Sequence, residues 1–245
     1  MNQAGLRVAT SALAPLAVLA VLVAGAAAAV TYPGDDDPPT GPDEPTSTSA
    51  EGSSPASPTA PEGGQLVGGS AVDATVVVPE DGWTLADGTS IGYERPDGDG
   101  SVGTDSPALY DQGFCETEDG LTYRALAGFT DLPSARDVTV QDSAQDALDA
   151  WTGALGGGVG DAVVTPVRLD DGSAGWTGAQ VVEVTEPETD CDPEARELRV
   201  VSVATDGDVA TVVMLRDVRA DGDDLRGGLS AADADDVLRT LTPTS

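Results

Sequence analysis

The sequence predicts an α+β domain, with antiparallel sheet packed against one central helix and one C-terminal helix. Three observations carry that prediction. Short β-branched runs are separated by Asp-Gly and Pro-Asp-Gly turns, only two stretches place apolar residues at helical spacing, and the helices interrupt the strands instead of alternating with them. The domain is expected over residues 70–245, behind an apolar N-terminal segment (1–30) and an acidic linker (31–69).

AVDATVVVP (71–79) is a β-branched run ending at a proline and reads as the first strand. PEDGWTL (79–85) follows: a tight turn, then an aromatic in a chain that is only 4% aromatic, so Trp83 is read as a packing anchor. SIGYERP (90–96) is a second strand closed by PDGDG, and GLTYRALAGF (120–129) a third, with Leu121, Tyr123, Ala125 and Ala127 on one face. A helix is expected over about 143–155, with Ser143 and Asp146 as an approximate capping box. Ala144, Ala147, Leu148, Trp151 and Leu155 form its apolar face, and GGGVG (156–160) ends it. Two hairpins follow, turning at DDGS (170–173) and TDGD (205–208), with Trp176 facing a core. A last helix starts at Ser230, capped through Asp233, and carries Val237, Leu238 and Leu241 inward.

Residues 8–30 contain no charge and are long enough to span a bilayer at about 1.5 Å per residue. Arg7 precedes them and no basic residue follows until Arg95, which places the N-terminus inside and the domain outside. AGAAAA also offers an Ala-x-Ala site, so a cleaved signal peptide is the competing reading; both export the domain, to the outer side of the membrane or to the medium. Between residues 31 and 69 there are seven acidic residues, no basic one and many Pro, Ser and Thr. Such a composition buries too little apolar surface to order itself, so the segment is expected to be a flexible stalk, open to O-glycosylation.

The formal net charge is −32, with 11 Arg, no Lys and no His. Phosphate backbones and anionic lipid surfaces repel such a chain, which excludes nucleic acid as a partner and leaves the N-terminal helix as the contact with the membrane. Cys115 and Cys191 lie in polar loops, and an even pair in an exported chain reads as one disulfide. It closes a loop of roughly 75 residues and stabilises by about 4 kcal/mol in the chain-entropy model.

Four patterns suggest chemistry and fail. GTSIG (88–92) matches the nucleophile elbow at Ser90, but no His or Lys can take the serine proton, and turn-then-strand is the wrong local order. GGGVG lacks a P-loop lysine and leaves a helix where a phosphate loop must enter one. DGDGSVGTDSPA (97–108) opens like a calcium loop, but Val102 replaces the required Gly and Ala108 the bidentate Glu. Carboxylate-only hydrolysis needs a pair of inward acids, and with 36 acidic residues from position 70 on, no pair stands out. No catalytic, cofactor-binding or metal-ligating residue is therefore assigned.

The order VVVPEDGWTL, SIGYE, GFCETEDGLTYRALAGF, QDALDAW, GWTGAQVVEV, RVVSVATDGDVATVVML and LSAADADDVLRTLTP covers most of residues 72–243. It resembles an uncharacterised family of exported actinobacterial domains carried behind an N-terminal membrane helix. More distantly it is similar to the PsbP-like α+β fold, with its Pro-x-Gly-Trp-like opening and closing helix. That resemblance implies a non-enzymatic accessory or binding module and transfers no binding residue. The expected function is a non-catalytic extracytoplasmic module that binds an envelope protein or cell-wall component. A small-ligand or lipid carrier with a cavity between sheet and helix is the alternative, and a carboxylate-dependent hydrolase the third.

Overall fold

A computed structural model describes residues 59–244, apart from 70, 71, 97, 99, 117–121, 133–137, 159–161, 186 and 188. The apolar segment at 8–30 and the linker up to residue 58 lie outside the described residues. Among the described residues no helix is long and apolar enough to cross a membrane.

The elements follow in chain order as β1 (Gly64–Gly68), β2 (Ala74–Pro79), β3 (Trp83–Leu85), β4 (Ser90–Glu94), β5 (Ser101–Asp105), β6 (Ala108–Tyr110) and β7 (Ala125–Phe129). Then come α1 (Val140–Ala154), β8 (Thr165–Arg168), β9 (Ala174–Glu183), β10 (Ala195–Ala204), β11 (Val209–Val218), α2 (Ala231–Arg239) and β12 (Thr242–Pro243). A seven-stranded antiparallel sheet runs β3-β6-β7-β11-β10-β9-β8, beside a three-stranded sheet β1-β2-β12 and a separate hairpin β4-β5. The fold class is α+β.

Alternation along the central strands builds two cores. Leu198 and Val200 of β10 and Val213 and Leu215 of β11 pack with Leu148 and Trp151 of α1. Val201 and Val203, with Ala210, Val212 and Met214, face the other way, towards Val76 and Val78 of β2 and Val237 and Leu238 of α2. β11 is buried at every position, which is why VATVVMLRDV reads as a nearly unbroken apolar run. Each fully buried Val or Leu contributes on the order of 1.5–3 kcal/mol, so the sheet is held from both sides.

Several boundaries differ from the sequence reading. The domain includes residues before 70: β1 lies within the stretch read as linker and pairs with β2 from Gly64↔Pro79 to Gly68↔Thr75. Its glycine-flanked GQLVG lacks a β-branched run, and only the partner strand makes it a strand. The helix starts at Val140, not 143, because Thr139 is the cap: its hydroxyl accepts from Asp142 N–H at 3.1 Å and donates to the Asp142 carboxylate at 2.7 Å. Ser143 instead bonds the Thr211 hydroxyl at 3.0 Å. The calcium-like stretch runs into β5, a strand the sequence does not announce, and β6 follows it as another. The third strand spans Ala125–Phe129 only, so Tyr123 precedes it and Leu121 lies outside the described residues. Both expected hairpins form, and Ser230 caps α2 through Asp233 N–H at 3.1 Å.

The tryptophans divide. Trp83 is buried and meets Tyr110 edge-on, with ring centroids 5.5 Å apart. Trp151 is fully enclosed, its indole N–H donating to the Thr130 hydroxyl at 3.1 Å. Trp176 is only half-buried, on the margin of the α1 core, because β9 lies one strand from the sheet edge.

Candidate functional site

A cleft of about 720 Å³ opens on the α1 side of the sheet, beyond the C-terminal end of that helix. β4 supplies Gly92, Tyr93 and Glu94 to its wall, the end of α1 supplies Ala154, and the loop from β9 to β10 supplies Cys191 and Asp192. Arg196 and Asp217 enter it from the sheet. They are antiparallel partners on β10 and β11, and their positions on the α1 face turn both towards the cleft.

The polar groups are fixed by one another. The Tyr93 and Tyr123 hydroxyls are hydrogen-bonded at 2.8 Å, and the Tyr93 ring lies edge-on against Trp151 at 5.9 Å. Arg196 lies 6.0 Å from the Tyr93 ring centroid, donates to Asp192 at 3.3 Å and pairs with Asp217 at 3.6 Å. Asp217 is 4% exposed, and burial raises its pKa to about 7 against the opposing pull of Arg196 and Arg124. Burial, then the neighbouring Tyr93, pushes the Tyr123 phenol far above its usual range. Tyr123 is a neutral hydrogen-bonding group at any physiological pH.

Cys115 and Cys191 are bonded to each other, with Cα atoms 6.0 Å apart, and join the loop before β7 to the β9–β10 loop. Thr122 secures the first loop by donating to the Cys115 carbonyl at 2.7 Å. In the second, Thr189 N–H donates to Asp192 at 2.8 Å, placing the carboxylate that receives Arg196.

The other features read from the sequence fall elsewhere. Ser90 begins β4, exposed, and its hydroxyl donates to the Asp105 carboxylate at 2.5 Å, in a chain with no His or Lys to activate it. The first glycines of GGGVG leave α1, and residues 159–160 lie outside the described residues. Among the described residues no three His, Cys, Asp or Glu are grouped to hold a metal ion. The space between sheet and α1, where a carrier needs its cavity, is occupied by Leu148, Trp151, Leu198 and Val213. A hydrolase needs two inward acids; Asp217 is buried, while Glu94 and Glu183 across the cleft are exposed. Tyr93, Arg196 and Asp217 were not singled out in the sequence, and Tyr123 was read only as part of a strand face. The available signal was polarity inside apolar strands, at the Arg of RELRVV and the Asp of VVMLRDV.

No curated protein matches the chain. Among solved structures it is similar to the solution structure of cyanobacterial PsbP (CyanoP) from Synechocystis sp. PCC 6803. The identity is 15% and the TM-score 0.36, over 77% of this chain and 96% of that one. Nothing about activity or ligand is taken from that likeness. The family described as "Domain of unknown function (DUF8017)" matches residues 56–245, from ahead of β1 to beyond β12, and the chain belongs to that family.

Proposed function

We propose that this domain is a non-catalytic binding module of the cell exterior, displayed from the membrane on its acidic linker, and that the cleft is its binding face. The observation that carries this reading is the pre-set polar cluster. Tyr93, Tyr123, Arg196, Asp192 and Asp217 hold one another at an open cleft, and a disulfide fastens the loop that brings Asp192. Groups ordered before a partner arrives lower the entropic cost of binding it. An envelope protein or cell-wall component is the expected partner.

The test is site-specific photo-crosslinking in cells, with the full-length chain carrying the crosslinker at Glu94 or Thr185, both exposed at the cleft, or at Asp206 on the far turn. One reproducible envelope partner captured from the cleft positions and not from Asp206 supports the module. Equal capture from all three positions, or none from the cleft, removes it.

A further inference from the structure

Among the described residues β4 pairs with β5 on one side and with no strand on the other. The register shows what that open edge offers. Gly103 of β5 turns its N–H and C=O away from β4, to the Asp131 carboxylate at 2.8 Å and the Asp131 N–H at 3.0 Å. Its partner Gly92 therefore belongs to a non-hydrogen-bonded pair, with its own N–H and C=O on the outer edge of β4. Ser90 and Glu94, two residues to either side, share that orientation. The hydrogen bonds from Arg95 N–H to Gly100 and from Ser106 N–H to Thr89, at 2.9 and 2.7 Å, have the matching parity. Ser90, Gly92 and Glu94 are all exposed, so three outward-facing residues form a ready template for a further strand.

Gly92 and Glu94 also form the cleft wall, where Glu94, Glu183, Asp192 and Asp217 stand against Arg196 as the one cation among the described lining residues. We infer that the cleft takes an extended basic segment of a partner protein. The segment adds as a strand along the outer edge of β4 and sets Lys or Arg side chains against Glu94 and Glu183. Main-chain hydrogen bonds to Ser90, Gly92 and Glu94 hold the segment, and the carboxylates select its charge. The chain's own linker has the wrong sign for this place, with seven acidic residues and no basic one between 31 and 69. The inference rests on the cleft being the binding face, and it names what that face accepts.

The probe is a labelled nine-residue peptide alternating Val and Arg, titrated with the full-length protein and followed by fluorescence anisotropy at low and physiological salt. Saturable binding is expected, weakened about tenfold or more by Glu94→Arg with Glu183→Arg, and within about twofold of the parent for Asp146→Arg with Asp206→Arg, away from the cleft. N-methylating alternate peptide amides, which removes the donors of one strand edge without touching the protein, is expected to weaken binding about tenfold or more. Equal weakening by both double variants means diffuse attraction to an acidic surface and overturns the inference. Indifference to N-methylation overturns strand addition, and absence of any binding overturns the basic segment. In each of these cases crosslinking from Glu94 and Thr185 still decides separately whether the cleft is a binding face.

Discussion

Two neighbouring rungs of the β10–β11 ladder carry the same chemistry on opposite faces of the sheet. Glu197 opposes Arg216, and one residue along Arg196 opposes Asp217. On the α2 face, Arg216 is 2% exposed and donates to Glu197 at 2.5 Å, to Asp224 at 2.7 Å and to the Leu229 carbonyl at 3.0 Å. Arg199 shares Glu197 and reaches Asp235 of α2, while Asp224 also receives the Ala231 N–H at the helix start. On the α1 face, Arg196 holds Asp192 and Asp217 at 3.3 and 3.6 Å, beside an open cleft. Like residues in like strands thus serve different ends. The closed network fastens α2 to the sheet, and the open pair keeps polar groups in place where a partner can reach them.

The largest expected effect breaks the closed face. Arg216→Ala empties the place of a fully buried side chain, leaves the half-buried Glu197 to Arg199 alone and unties Asp224, and is expected to cost roughly 3–5 kcal/mol in urea unfolding. If the variant unfolds with the parent's midpoint, the closed network contributes no stability. Replacing both cysteines by Ser tests the loop tie on the cleft side, with an expected loss of roughly 2–5 kcal/mol. The parent measured under reducing conditions should fall towards the same midpoint. Arg196→Ala is expected to cost less, about 1–3 kcal/mol, because Asp217 can take up a proton when its partner goes. A loss as large as that of Arg216→Ala would erase the distinction between the faces.

The smallest effect is the sharpest, because the two faces answer pH with opposite signs. Asp217 has a folded pKa raised to about 7, so the folded state holds its proton where the unfolded chain has released it. Its contribution to stability falls as pH rises from about 4 to about 7. Asp224 is lowered, chiefly by its hydrogen bond from Arg216, so its contribution is present above the ordinary carboxylate range and lost as pH falls through its folded value. Urea midpoints of Asp217→Asn, compared with the parent at pH 5 and pH 8, should show a smaller decline across that interval. An unchanged decline assigns the dependence to other groups.

The hairpins at DDGS and TDGD, the Ser230 cap and the Cys115–Cys191 bond were legible because each depends on a few adjacent residues or, for the cysteines, on there being only two. The start of α1 was misplaced because two capping sequences compete within four residues, and packing against Thr211 took Ser143 out of the contest. β1 and β5 were missed because their short, glycine-containing sequences become strands only through their partners. The cleft was illegible for a related reason. Tyr93, Tyr123, Arg196 and Asp217 meet only once register is set, and register is a property of pairing and not of any one segment.

The pairing of β2 bears on the order in which the domain can be completed. Val77 of β2 donates its N–H to the Thr240 hydroxyl at 2.8 Å, Thr75 opposes Thr242, and Thr244 N–H reaches the Asp73 carbonyl at 2.8 Å. Strands β1 and β2 emerge early from the ribosome, whereas the neighbour that completes their sheet emerges after every other element. Until then one edge of β2 is unpaired and the α2 face of the central sheet is uncovered, with Val76, Val201 and Val212 open to solvent or to a chaperone. The early half of the domain therefore waits for the late half, and a ribosome stalled within α2 holds a chain that has made most of its strands and cannot yet close.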